Sequence, residues 1–163
     1  LIVQDPDTDA VQILTYGVVL DLNGFTIAGP RSGGRGRGVS TGDVDQGHIT
    51  VRNGTVRGFG SDGVQLRGLY QRVEGVQTLQ NGGSGIEVGP NSVLIRNIAE
   101  QNGGSGIDVS RGESLILSNT IRGNHGHGIA AGAVSWVSDN VIEDNHGEGI
   151  FVTVGALVVK NTV

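Results

Sequence analysis

Asn81-Gly82-Gly83-Ser84-Gly85-Ile86-Glu87-Val88 returns 21 residues later as Asn102-Gly103-Gly104-Ser105-Gly106-Ile107-Asp108-Val109. The same register runs in both directions from this pair: Gly38-Val39, Gly63-Val64, Gly85-Ile86, Gly106-Ile107, Gly128-Ile129 and Gly149-Ile150. The last five are spaced by 22, 21, 22 and 21 residues; the first interval is 25, so that coil carries a longer loop. Two asparagine registers accompany the glycines: Asn53, Asn97, Asn119, Asn140 and Asn161, with Gly75 standing in for one, and Asn81, Asn102, Asn124 and Asn145. Self-similarity at a fixed period marks a repeat architecture whose units stack to share one core.

The content of the period selects among repeat folds. No segment shows a 3.6-residue apolar pattern, which excludes the helical repeats, and the leucine framework of leucine-rich repeats is missing. Each coil instead reads as short alternating runs, such as Val93-Leu94-Ile95 and Ser105-Gly106-Ile107-Asp108-Val109, punctuated by Asn-Gly turns. The expected fold is therefore all-β: a single-stranded right-handed parallel β-helix with coils of about 21–22 residues. One domain over residues 1–163 is expected, with a longer Gly/Arg-rich loop region at 28–48. Asparagine and glycine at the corners are expected to take left-handed backbone angles, and stacked asparagines to hydrogen-bond along the axis.

Composition agrees. The chain has 163 residues, 30 glycines, 4% aromatics and neither Cys nor Met, so the core must be small branched side chains facing inward from strands. A formal charge of −5 argues against nucleic acid and anionic membranes as partners, and no stretch is apolar enough for a membrane span. Without cysteine there are neither disulfides nor thiol chemistry. Leu1-Ile2-Val3 runs at once into Gln4-Asp5-Pro6-Asp7, which is not a signal-peptide pattern. The chain reads as starting and stopping within repeats, as a segment of a longer solenoid would. The apolar run Leu157-Val158-Val159 then calls for further coils or an oligomeric, end-to-end contact.

Stacking converts repeats into columns of neighbours. Arg52, Glu74, Arg96, Ser118, Asp139, Lys160 forms one column and Val56, Thr78, Glu100, Arg122, Glu143 another. Both alternate in sign where charges adjoin, as register-holding ladders do. The column Gln65, Glu87, Asp108, Ala130, Phe151 differs, because it sets two outward carboxylates on adjacent coils. Such a pair holds a proton, binds a cation or meets a basic neighbour. Glu87 and Asp108 are thus the candidate catalytic pair, with calcium the natural helper toward an acidic glycan; two solvated acids are the plainer alternative. Gln65 and the loop arginines Arg35 and Arg37 are candidate substrate-binding residues, against the simpler reading of an exposed loop. Tyr70 and Trp136 are candidate sugar-stacking residues. His125, His127, His146 and Glu148 gather on one corner and could ligate a transition metal, although polar residues are ordinary there.

Val19-Leu20-Asp21-Leu22-Asn23-Gly24-Phe25-Thr26-Ile27 and Ile49-Thr50-Val51-Arg52-Asn53-Gly54-Thr55-Val56-Arg57-Gly58-Phe59-Gly60 resemble bacterial right-handed parallel β-helix repeat proteins of the pectate-lyase-like superfamily. The resemblance covers nearly the whole chain. It implies the fold, a secreted or cell-surface location and polysaccharide as the partner class. Polysaccharide lyases, polygalacturonases, mannuronan epimerases and phage tailspikes belong to that superfamily, beside members of no known activity. No catalytic motif carries over: the polygalacturonase Asn-Thr-Asp, Asp-Asp and Gly-His-Gly set is missing, and Asp5-Pro6-Asp7 matches only the start of the epimerase Asp-Pro-His-Asp. A structural or carbohydrate-binding module is the first expectation, a lyase, hydrolase or uronate epimerase the second.

Overall fold

The computed structural model describes residues 1–31, 33–42, 45–109 and 111–163, and the expected loop region 28–48 therefore lies partly outside the described residues. Parallel strands build two long sheets. One stacks Val11–Gln12, Val39–Ser40, Val64–Leu66, Ile86–Val88, Ile107–Val109, Ile129–Ala131 and Ile150–Val152 in that order. The other holds the remaining strands, among them Val93–Ile95 and Ile98–Glu100 with their equivalents in other coils. Each strand pairs with the next coil's equivalent, so the β-helix expected from the period is the fold observed.

Alternation along each strand fixes the core. Ile86 and Val88 are buried while Glu87 between them is half-exposed, and Ile107, Asp108 and Val109 repeat the pattern. Ile86, Ile107 and Ile129 stack from one sheet, facing Leu94, Ile116, Val137, Ile121 and Ile142 from the other, all at 2% exposure or less. Small β-branched side chains suit this narrow interior.

Three corners turn each coil by one device: a left-handed residue followed by a buried polar side chain. At the first, Arg96, Ser118, Asp139 and Lys160 have φ of 55–57°, and the asparagines that follow them stack inside. Asn119 Oδ1 accepts from Asn97 N at 2.9 Å, and Asn119 Nδ2 donates to Asn140 Oδ1 at 2.9 Å and to Leu94 O at 3.1 Å. Asn81, Asn102, Asn124 and Asn145 repeat this at the second corner. Gln71, Ser92, Ser114 and Ser135 do so at the third, each accepting the preceding coil's N–H. The asparagine ladder is as expected, but the left-handed angles belong to the residues before the ladder asparagines. The side chain's hydrogen bonds need an inward direction, so the preceding residue makes the turn.

That device corrects the register of the early coils. Gly75 (φ 60°) pairs in sequence with the left-handed Asn53 and precedes Val76, whose N–H donates to Asn97 Oδ1. The columns therefore slip by one residue: Arg52 and Glu74 adjoin Ile95, and the second ladder runs Arg57, Leu79, Glu100, Arg122, Glu143. Charge pairing survives the slip, with Arg52–Asp21 at 2.9 Å, Arg72–Glu74 at 2.7 Å, Arg122–Glu100 at 3.1 Å and Arg96 on Glu74. The arginine partners, Arg72 foremost, hold the Glu74 carboxyl below the usual range.

The Gly/Arg-rich region is not one free loop. It contains the strand Val39–Ser40, and its first half is bonded to neighbouring chain. Gly36 N donates to Pro6 O at 2.9 Å, Arg35 N to Asp7 Oδ1 at 3.0 Å and Arg37 N to Asp9 Oδ1 at 2.8 Å. At the C-terminal edge Val158 occupies an inward position yet is 41% exposed.

Candidate functional site

The first sheet presents Ser40, Gln65, Glu87, Asp108, Ala130 and Phe151 as one outward column, as the repeat requires. The column before the inward glycines brings Arg37 and Asp62 beside it. Gln65 is buried at 4% exposure, and its Nε2 donates both to Asp62 Oδ2 at 3.0 Å and to Glu87 Oε2 at 3.2 Å. Expected as a substrate-binding residue, it is here occupied in joining two carboxylates. Asp62 is 7% exposed; its Oδ1 accepts from Ser84 N at 2.7 Å, and Arg37 Nε lies 3.9 Å from its Oδ2. Glu87 and Asp108 do adjoin, and Gln65 supplies Glu87 with a donor the sequence did not reveal.

Burial pushes the Asp62 carboxyl up from the ordinary aspartate value. The Ser84 N–H opposes that shift; the charges of Glu87 and Asp108 add to it, and Arg37 opposes it. A carboxyl raised on folding contributes stability that is full below its unfolded pKa and is lost as pH rises through the folded value. Asp62→Asn is therefore expected to flatten the fall in melting temperature between mildly acidic and neutral buffer. An unchanged pH slope in that variant would contradict the assignment.

Arg37, expected as a substrate-binding loop residue, is half-buried between Asp9 (3.7 Å) and Asp62 (3.9 Å). Arg35 is exposed, and neither arginine lines the cleft described next. The absence of a free loop is the reason: Asp7 and Asp9 fix the backbone, and Asp9 and Asp62 hold the Arg37 guanidinium.

A cleft of about 500 Å³ opens at the end of this strand column, with Glu87 at its lip. Leu66 and Val88 close the inner side, and Arg67 and Arg111 enter from segments that follow the strands. His48 and Tyr70 occupy the left-handed position of successive coils at the third corner, φ 57° and 61°. Their rings stack with centroids 5.0 Å apart at 18°, and Tyr16 stands beside them. Tyr70 and Tyr16 are 52% and 68% exposed, aromatic surface open to solvent. Gly89 is required here, since a Cβ on it would sit 1.9 Å from Gly68 O. Sequence reading named Tyr70 but missed Tyr16, His48, Arg67 and Arg111. The signal for His48 was the third polar register, Gln71, Ser92, Ser114, Ser135, whose preceding residues point outward.

The histidine corner resolves into pairs. His125 stacks on His146 at 4.8 Å and 15°, and His127 stacks on Phe151 at 5.1 Å with its Nδ1 2.5 Å from Glu148 Oε2. Among the described residues no three His, Cys, Asp or Glu side chains converge where one ion could be held. The expected metal centre of His125, His127, His146 and Glu148 is therefore not assembled. Trp136 lies between Leu115 and Leu157 on the other sheet, 47% exposed and away from the cleft.

Three solved structures share the architecture. A double mutant of the periplasmic alginate epimerase AlgG superposes with a TM-score of 0.62 at 19% identity, over 85% of this chain and 35% of that one. The mannuronan C-5 epimerase A-module of Azotobacter vinelandii gives 0.59 at 19% identity, over 99% and 57%. Periplasmic AlgG itself gives 0.62 at 12% identity, over 90% and 47%. The chain thus spans about a third to just over half the length of these proteins, and identities this low speak for the fold alone. No curated protein sequence matches the chain at a significant level. The model of the right handed beta helix region matches residues 9–135 and 37–163, and the chain belongs to that family.

Proposed function

We propose that this β-helix is a carbohydrate-binding module of a secreted or surface protein, with the sugar seated in the cleft against Tyr70 and His48. The observation that carries the reading is the exposed aromatic stack in a cleft of about 500 Å³, beside hydrogen-bonding groups of both signs. Aromatic faces bind the apolar faces of sugar rings, while Glu87, Arg67 and Arg111 suit hydroxyls and acidic substituents. The resemblance in fold to enzymes named for alginate and mannuronan supports polyuronates as the first ligands to try. Calorimetry against polyuronate and neutral oligosaccharides tests it. Tyr70→Ala is expected to weaken binding about tenfold, the equivalent of about 1.4 kcal/mol for a lost stacking partner. Undiminished affinity in that variant, or no binding to either glycan class, would refute it.

A second reading, cleavage or epimerisation of the bound chain, draws on the adjoining carboxylates Glu87 and Asp108 with the buried Asp62 beside them. Product analysis with Glu87→Gln separates it from binding alone. Self-association through the apolar edge at Leu157 and Val158 is a further proposal, which a strict monomer in concentrated sedimentation runs would contradict.

A further inference from the structure

We propose that the outer face of the second sheet pairs two copies of this chain side by side, about a two-fold axis parallel to the coil stack. The strands Val93–Ile95, Leu115–Leu117, Trp136–Ser138 and Leu157–Val159 lie on successive coils. Their middle residues, Leu94, Ile116, Val137 and Val158, point inward. The outward residues form two columns: Val93, Leu115, Trp136, Leu157 and, beside it, Ile95, Leu117, Ser138, Val159. Ser138 alone among them is polar, and Leu115, Trp136 and Leu157 stand exposed. One coil earlier the same two columns carry Arg72 and Glu74, and the coil before that Thr50 and Arg52. An apolar sheet face four coils tall and bounded by charge is a surface built to be covered.

The pattern of the face selects a second copy as its cover. A two-fold axis along the stack sets each coil against its own equivalent with the strand reversed, so the first column of one copy meets the second column of the other. Val93 then falls on Ile95, Leu115 on Leu117 and Leu157 on Val159, apolar against apolar in every case. At the boundary coil Arg72 falls on Glu74 and Glu74 on Arg72, opposite charges both times. Trp136 falls on Ser138, where the column is hollow between Leu117 and Val159. The Ser138 hydroxyl is already bonded to Asp139 Oδ2 at 2.8 Å, so covering it strands no polar group. The rims bring no like charges together, because Arg96, Ser118, Asp139 and Lys160 fall beside Asn91, Glu113, Val134 and Gly155. Turning the second copy end for end has no such match. One register of that arrangement sets Leu157 on Arg72, and the next sets Lys160 beside Arg96. The coils from Arg72 to Leu157, about 4.8 Å apart and three residues wide, offer on the order of 300 Å² per copy. A standard complex buries roughly 800 Å² per partner, so this dimer is a weak one that concentration drives.

Trp136 is the chain's single tryptophan, so its emission reports the face directly. Sedimentation and tryptophan emission of the full chain are followed from about 10 μM to about 1 mM. The expected result is association that stops at the dimer, because a two-fold contact closes on itself, with emission moving to shorter wavelength in step. Trp136→Glu should weaken the dimer at least about tenfold, and an unchanged melting temperature checks that the fold is intact. Arg72→Glu and Glu74→Arg each set like charges across the axis and should weaken pairing, whereas a mixture of the two variants should restore it. If Glu74→Arg does not fold beside Arg96, the Trp136→Glu comparison decides alone. A chain that stays monomeric at every concentration overturns the proposal. So does association that Trp136→Glu leaves unchanged, which would assign it to another surface such as the edge at Val158. An emission shift driven by oligosaccharide in the dilute monomer, with none on concentrating, would give the face to a glycan and overturn it as well.

Discussion

Asn119→Ala should lower the stability of this protein by about 3–5 kcal/mol, a large share of the roughly 5–15 kcal/mol that holds a typical domain folded. Asn119 is 1% exposed and occupies the middle of its ladder. Its Oδ1 caps Asn97 N at 2.9 Å and accepts from Asn97 Nδ2 at 3.0 Å, while its Nδ2 serves Leu94 O and Asn140 Oδ1. Alanine leaves the Asn97 backbone N–H without its acceptor and takes one partner each from Leu94 O, Asn97 Nδ2 and Asn140 Oδ1, of which the two amide ends keep Val73 O and the N–H of residue 119, so a stranded buried N–H adds to three lost bonds. Asn161→Ala is the control: the same ladder, but partly exposed, so water replaces the lost partners and the cost should fall to about 1 kcal/mol. Urea unfolding should show a lower midpoint with an unchanged slope. Equal losses in the two variants would mean that the ladder is not stabilised by satisfying buried groups.

Gly128→Ala is expected to cost about 3 kcal/mol, through space rather than conformation. Gly128 does not have a positive φ, yet a Cβ on it would lie 2.4 Å from Gly149 O and 2.5 Å from Ile142 Cγ2. The same approach recurs along the column: a Cβ on Gly63, Gly85 or Gly106 would stand 2.7–2.8 Å from the next coil's glycine carbonyl. The carbonyl is backbone and belongs to the inter-coil ladder, so it cannot yield without loosening Ile129 N, which bonds Gly149 O at 2.9 Å. Gly123→Ala gives the contrast. Gly123 has φ +64°, and a Cβ on it would meet only Gln101 Cγ at an ordinary 3.6 Å; Gln80 and Gln101 hold the equivalent position in other coils. Its cost should be about 1 kcal/mol, the penalty of a left-handed alanine. Thermal melts that rank the two variants the other way would show that conformation, not contact, keeps glycine in the Gly-Ile register.

These two columns also show how the sequence was readable. A glycine kept by a close approach and an asparagine kept by a buried hydrogen bond both recur at every coil, so their period was visible before their cause. Gly75 misled because glycine and asparagine are interchangeable as turn formers, whereas only the position facing Asn97 Oδ1 decides register, and there the residue is Val76. His125, His127, His146 and Glu148 were correctly placed on neighbouring coils, but nearness in a column does not make nitrogens converge. Arg37 read as part of an open loop because its partners Asp9 and Asp62 are 28 and 25 residues away in sequence.

The sequence by itself determined the period, the inward and outward alternation, and so the β-helix and the adjacency of Gln65, Glu87 and Asp108. Each follows from repetition, because a stacked coil places equivalent residues side by side whatever else surrounds them. Only the tertiary structure decided which polar groups are buried and where a cleft opens. His48 and Tyr70 share a column, but Tyr16, Arg67 and Arg111 hold no common position in the repeat, so the period alone does not bring them to the same cleft. That Gln65 joins two carboxylates turned on its hydrogen bonds to Asp62 and Glu87, which only the folded chain brings within reach of one amide.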